Sequence, residues 1–269
     1  MMLARPGHAP RTGLSSLKGR RLVRSIVDVL GVASSVLALS VGLTTPSTAA
    51  PLQQIAIGHF GVPSPPSPGP SAIAQARGTV VPLYESPASP KPYAVLNSPG
   101  GSGEPLVFLV SDLALAPYWL RVYLPMRPNG SQAWIPRSSV QLFSDNYLVQ
   151  VQVSSHRLTV FDAGRPIIIA PVGIGRSVLP TPTGTYYIVD LLRQPDPNGE
   201  YGPFAFGLSA FSDVLQSFGG GPGEIGLHGT NDPSSVGANV SHGCLRVANA
   251  MITELARILP LGTPVMITG

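Results

Sequence analysis

One cysteine, Cys244, stands in a chain of 269 residues, so no intrachain disulfide braces the fold. No His-Glu-x-x-His run occurs, which argues against a zinc hydrolase of that pattern. The first 24 residues hold no acid, although they carry Arg5, Arg11, Lys18, Arg20, Arg21 and Arg24. The basic excess is confined to that end. Of 17 basic and 13 acidic residues, residues 1–50 hold six bases and one acid, Asp28, leaving 11 bases against 12 acids. The pI near 9.5 therefore gives no reason to expect nucleic-acid binding.

The start of the chain reads as an export segment. The bases come first, an apolar run follows over 29–43, and Ser47-Thr48-Ala49-Ala50 closes it. That order is a secretory signal peptide cut after Ala49 or Ala50. The other reading is an uncleaved membrane tether over 25–44, which is long enough to span. Either places the protein outside the cytoplasm, secreted or anchored. Residues 51–77 lack an apolar period and hold Val-Pro-Ser-Pro-Pro-Ser-Pro-Gly-Pro at 62–70, so an extended linker is expected.

Two β-rich regions follow. Over 78–143, short strands are signalled at 80–84, 106–110, 119–124 and 133–135, with a turn at Pro128-Asn129-Gly130. Trp119 and Trp134 are expected in the core of this module. From 144 to 269 the strands lengthen. Residues 147–153, 157–161 and 166–172 form an antiparallel meander, 185–191 and 204–211 add strands, and 224–228 delivers His228 at a strand end. Residues 193–203, rich in Pro and Gly, form a long loop of the kind that covers a site. One helix is clear after Asn249, with Ile252, Leu255, Ile258 and Leu259 as its apolar stripe. Pro260 and Gly262 stop it, and 264–267 closes the sheet.

The chemistry gathers at Ser241-His242-Gly243-Cys244, with His228 sixteen residues ahead of the cysteine. A lone thiol near two histidines is a candidate nucleophile, since it needs a base or a cationic neighbour to ionise. His242, two residues from Cys244, shares its face if the chain is extended there. Gly243 lets the backbone take an unusual dihedral, so that its amide and that of Cys244 can face an oxyanion. Arg246 suits a substrate carboxylate or a surface ion pair. Ser241 either donates to substrate or closes a turn, and Asn249 either caps the helix or contacts substrate. His59 and His156 lie in the linker and in a turn and receive no role.

His228 followed by Ser241-His242-Gly243-Cys244, with Arg246 two and Asn249 five residues beyond the cysteine, resembles the signature of the L,D-transpeptidases of the YkuD type. These are bacterial cell-wall enzymes with a cysteine nucleophile. The similarity runs from about Tyr147 to the C-terminus and includes the turn Pro180-Thr181-Pro182-Thr183-Gly184 before an aromatic strand. Upstream, Trp-Leu-Arg-Val, a turn and Gly-Ser-x-Ala-Trp-Ile are similar to bacterial SH3-like domains. The resemblance implies a mainly β protein: a YkuD-like β-sandwich catalytic domain with one main helix, preceded by a small SH3-like β-barrel. It implies Cys244 as nucleophile, His228 as general base with the Gly229 carbonyl orienting its ring, and His242 shaping the pocket. The amides of His242, Gly243 and Cys244 would receive the oxyanion.

The activity implied is cysteine-dependent acyl transfer between peptidoglycan tetrapeptide stems, giving 3→3 cross-links, with no cofactor and no nucleic-acid partner. Water or a free D-amino acid as acceptor would give carboxypeptidase or exchange activity from the same site. Two other classes stand beside this reading: a zinc hydrolase with His228, His242 and Cys244 as ligands, and a non-catalytic wall-binding protein.

Overall fold

The structure, a computed structural model, describes residues 69–218 and 220–269. The expected export segment at 1–50, the linker up to residue 68, His59 and Gly219 lie outside the described residues.

Seven strands form an N-terminal module: β1 (Ser71–Ala76), β2 (Val80–Leu83), β3 (Ala94–Asn97), β4 (Val107–Asp112), β5 (Trp119–Tyr123), β6 (Gln132–Pro136) and β7 (Val140–Asp145). Five of them make an antiparallel sheet in the order β6-β5-β4-β1-β7, and β2 pairs with β3. The linker expected through residue 77 therefore ends before β1. Ile73 and Ala74 are buried, and β1 lies inside the sheet, hydrogen-bonded along both edges. The expected boundary at 143 also moves, because β7 pairs with β1 through Asp145. The two tryptophans are not core. Strand alternation buries Leu120, Val122, Ala133 and Ile135, which turns Trp119 and Trp134 to the opposite face, half-buried. There Trp119 meets Tyr84 edge-on with ring centroids 5.0 Å apart.

Ten strands and one helix follow: β8 (Tyr147–Gln152), β9 (Arg157–Asp162), β10 (Arg165–Pro171), β11 (Ile174–Gly175), β12 (Gly184–Arg193), β13 (Phe204–Phe211), β14 (Glu224–His228), β15 (Asn239–Ser241), β16 (Leu245–Arg246), α1 (Asn249–Ile258) and β17 (Pro264–Thr268). Eight strands form one sheet in the order β10-β9-β8-β17-β12-β13-β14-β16. The last strand does not close this sheet at an edge. It runs between β8, to which it is parallel, and β12, to which it is antiparallel. One face of the sheet carries the core, with Val149, Leu158, Ile188, Phe206 and Leu227 fully buried and α1 adding Ile252 and Leu255. Among the described residues the fold is mainly β with one α-helix, and no helix is long and apolar enough to cross a membrane.

The two sheets share a small core of Ile73, Val107, Leu109, Tyr123 and Tyr187. Tyr187, on β12, is fully buried, and its hydroxyl donates to the Tyr123 carbonyl at 3.3 Å. Hydrophobic burial of that aromatic ring is the main attraction across the junction, with the hydroxyl satisfied rather than stranded.

Candidate active site

The site lies on the sheet face opposite α1. Period-two alternation on β14 sends Ile225 and Leu227 into the core and leaves Glu224, Gly226 and His228 on the other face. The thiol of Cys244 rests on the middle of these three, where its Sγ accepts from the Gly226 amide at 3.4 Å. His228 is thereby the next residue along the same strand face, and thiol and imidazole line one cavity of about 200 Å³.

His228 is 2% exposed. Its Nδ1 donates to the Gly229 carbonyl at 2.5 Å, which leaves Nε2 as the ring's acceptor. Burial lowers its pKa to about 4; the Gly229 bond works against this, Arg246 reinforces it and Glu200 opposes it. The Cys244 thiol is pushed up, mainly by burial, against the pull of the Gly226 amide and Arg246. Both groups are therefore neutral at rest, and the thiol gives up its proton only as it attacks.

The turn that presents Cys244 is tied by side chains. Ser241, 1% exposed, donates to the Cys244 carbonyl at 2.7 Å and accepts from the Gly243 amide at 3.0 Å. Its hydroxyl is thus spent on closing the turn and is not offered to substrate. The Gly243 amide is spent too, which removes it from the expected oxyanion donors and leaves those of His242 and Cys244. Gly243 has φ of +123°, and a Cβ there would stand 2.8 Å from Ile225 Cδ1, so only glycine fits. The same dihedral breaks the extended geometry expected for 242–244. The His242 ring packs instead on Phe218, with centroids 4.9 Å apart. Among the described residues His228, His242 and Cys244 do not converge as a metal-ligand set.

Arg246 lies across a narrow opening beside the thiol, with Nη2 3.9 Å from Glu200 Oε1. Its buried Nε has no partner. Glu200 is 64% exposed at its side chain, so the pair is loose and leaves the guanidinium able to exchange partners. Asn249 is not the helix cap. Ala248 occupies the cap position without a side-chain bond, and Asn249 Oδ1 accepts from the Thr230 amide at 2.8 Å. That bond holds the chain just after His228, and it sits so close to Gly202 and Gly229 that neither tolerates a side chain.

Several site residues escaped the sequence reading. Thr181, in the Pro-Thr-Pro-Thr-Gly turn, donates to the Gly243 carbonyl at 2.8 Å and accepts from the Gly175 amide at 2.9 Å. Tyr201 meets His228 edge-on at 4.8 Å, brought there by the loop between β12 and β13. Phe218, Asp190 and Glu224 line the cavity from other segments. Only the turn at 180–184 and the loop at 193–203 carried a signal.

Residues 146–267 match the family described as YkuD, L,D-transpeptidase catalytic domain. Residues 146–267 are a YkuD-type L,D-transpeptidase catalytic domain. The chain is 36% identical over 122 residues to the putative L,D-transpeptidase YkuD of Bacillus licheniformis, covering 45% of this chain and 66% of that protein. It is 36% identical over 121 residues to the protein of the same description from Bacillus subtilis, covering 45% and 65%. The chain thus spans just under two thirds of the length of these relatives. An L,D-transpeptidase structure from Mycobacterium tuberculosis superposes on 54% of this chain and 75% of its own, with 19% identity and a TM-score of 0.38.

Proposed function

We propose that the catalytic domain is a peptidoglycan L,D-transpeptidase that forms 3→3 cross-links through a thioester on Cys244. The observation that carries this reading is the thiol seated on Gly226 with His228 on the same strand face and its Nδ1 committed to Gly229.

In the first step Sγ attacks the carbonyl of the third residue of a tetrapeptide stem, and Nε2 of His228 takes the thiol proton. The His242 and Cys244 amides receive the negative charge that develops on the carbonyl oxygen. The terminal D-alanine leaves, its amine protonated by His228, and its carboxylate faces Arg246, which exchanges Glu200 for it. In the second step the side-chain amine of another stem attacks the thioester, the C–S bond breaks, and the proton returns to sulfur through His228. A neutral imidazole and a neutral thiol suit this cycle, because proton transfer is coupled to attack rather than preceding it. We place the enzyme outside the cytoplasm, acting on wall stems, on the strength of the N-terminal sequence.

Mass spectrometry of intact protein with a defined tetrapeptide should reveal an acyl adduct on the peptide bearing Cys244, and muropeptide analysis should reveal the cross-linked dimer. Both vanish in Cys244→Ala. Cross-linking at wild-type rate in that variant would overturn the assignment.

A further inference from the structure

The two openings beside the thiol differ in charge. One pairs Arg246 with Glu200, whereas the 200 Å³ cavity carries Asp190 and Glu224 with no arginine or lysine in its lining. Backbone irregularity places them there. A β-bulge between Ile188 and Asp190 reverses the alternation of β12, so Asp190 leaves the core side occupied by Tyr186 and Ile188 and faces the site. Asp190, Gly207 and Gly226 then form one row across β12, β13 and β14. The Asp190 carboxylate reaches over Gly207, and with strands about 4.8 Å apart that leaves it roughly one strand spacing from the thiol seated on Gly226. Glu224 flanks the thiol on the strand itself, two residues from Gly226 on the side away from His228. A Cβ on Gly207 would overlap the Asp190 carboxylate, so the glycine is what admits the acid to this face.

We propose that Asp190 and Glu224 form the docking wall for the acyl acceptor, binding the protonated primary amine of its diamino acid before transfer. This rests on the transpeptidase reading above. Burial raises the pKa of both carboxyls, and Asp190 raises that of Glu224 further, so a cation beside them opposes both effects. Asp190 Oδ1 accepts from the Gly207 amide at 2.8 Å, and the Ser102 side chain also hydrogen-bonds the carboxylate, so the acid is fixed in place. The cavity is built to receive polar matter: His228, almost wholly buried, points an unpartnered Nε2 into it. Two carboxylates without a third ligating side chain suit an organic ammonium better than a divalent metal, which takes six or more oxygens. The acceptor amine is a cationic reactant at neutral pH, and Arg246 already suits the donor's carboxylate on the opposite side.

The test uses the full chain, a defined tetrapeptide donor, an amine acceptor stem, and an acceptor whose amine is trimethylated and cannot react. Glu224→Gln should raise KM for the amine acceptor about tenfold while kcat falls less than twofold, a loss of about 1.4 kcal/mol in binding. Asp190→Asn, which keeps an oxygen for Gly207, should act in the same direction. The trimethylated stem should inhibit transfer in the wild type and bind by calorimetry, and Glu224→Gln should weaken both. Unchanged acceptor KM and unchanged binding of the trimethylated stem in both variants would overturn the proposal. Should the wild type form no thioester at all, the transpeptidase reading fails, while calorimetry with the trimethylated stem still decides whether the wall binds an ammonium.

Discussion

Asn129 treats the backbone of Phe211 as a neighbouring strand would. Its Oδ1 accepts from the Phe211 amide at 2.9 Å and its Nδ2 donates to the Phe211 carbonyl at 2.7 Å. Beside it, Arg127 donates to the carbonyls of Ser212, Leu215 and Pro222 and lies over the Phe211 ring at 5.2 Å. One turn of the N-terminal module thus grips both ends of the segment that carries Phe218 to the cavity. Arg127→Ala should lower stability by about 1–3 kcal/mol, the worth of charge-assisted bonds to backbone. It should also cut kcat/KM severalfold, because Phe218 and His242 lose their support. Thermal melts and a transfer assay check the two effects, and Arg127→Lys should restore only part of either, since an ammonium cannot span three carbonyls.

His228 makes stability pH-dependent. Its pKa is lowered from 6.5 to about 4 in the folded state, so between these values the unfolded chain binds the proton and the native chain does not. Stability therefore falls as pH drops through that window and is fully retained above it, a loss of up to about 3 kcal/mol. Urea titrations from pH 7.5 to pH 4 should follow this slope, and His228→Gln should flatten it. The same variant should lose roughly 10²–10⁴-fold in kcat, the usual contribution of a positioned base.

Gly243→Ala meets two obstacles at once, a positive φ and the Ile225 side chain. Backbone strain of that kind costs about 1–3 kcal/mol, so the variant should fold with reduced stability. Its Cys244 should react more slowly with a small alkylating reagent, because the turn that seats sulfur on Gly226 must shift.

The loop between β12 and β13 brings Tyr201 against His228 and Glu200 towards Arg246. Deleting 196–200 should raise the share of thioester lost to water severalfold over that passed to an amine, since covering loops exclude water. The ratio of trimmed to cross-linked product measures it, with Cys244 alkylation confirming an intact thiol.

Much of this was readable from the chain. Alternation in 147–153 and 157–161 marks β8 and β9, and the stripe of Ile252 and Leu255 marks α1, because burial on one face imposes those periods. His228 and Cys244 stood out as a lone thiol and a nearby imidazole. Asp190 did not, because a bulge reverses the face that alternation assigns, and nothing local in Thr-Tyr-Tyr-Ile-Val-Asp announces one. Nor did Asn129 and Arg127, whose partners lie more than 80 residues away and depend on how two sheets meet. Ser241 and Asn249 carry polar groups that can serve backbone or ligand equally, and only the folded turn decides.

The position of β17 has a bearing on biosynthesis. Without it the sheet is two separate ribbons, β10-β9-β8 and β12-β13-β14-β16, each ending in a bare edge that faces the other. A ribosome that has made residues up to 263 has made both ribbons but not the strand that hydrogen-bonds to each. Until the final strand emerges, those edges are open to any passing strand. The eight-stranded sheet is therefore completed only when β17, the last strand in chain order, takes its place between β8 and β12.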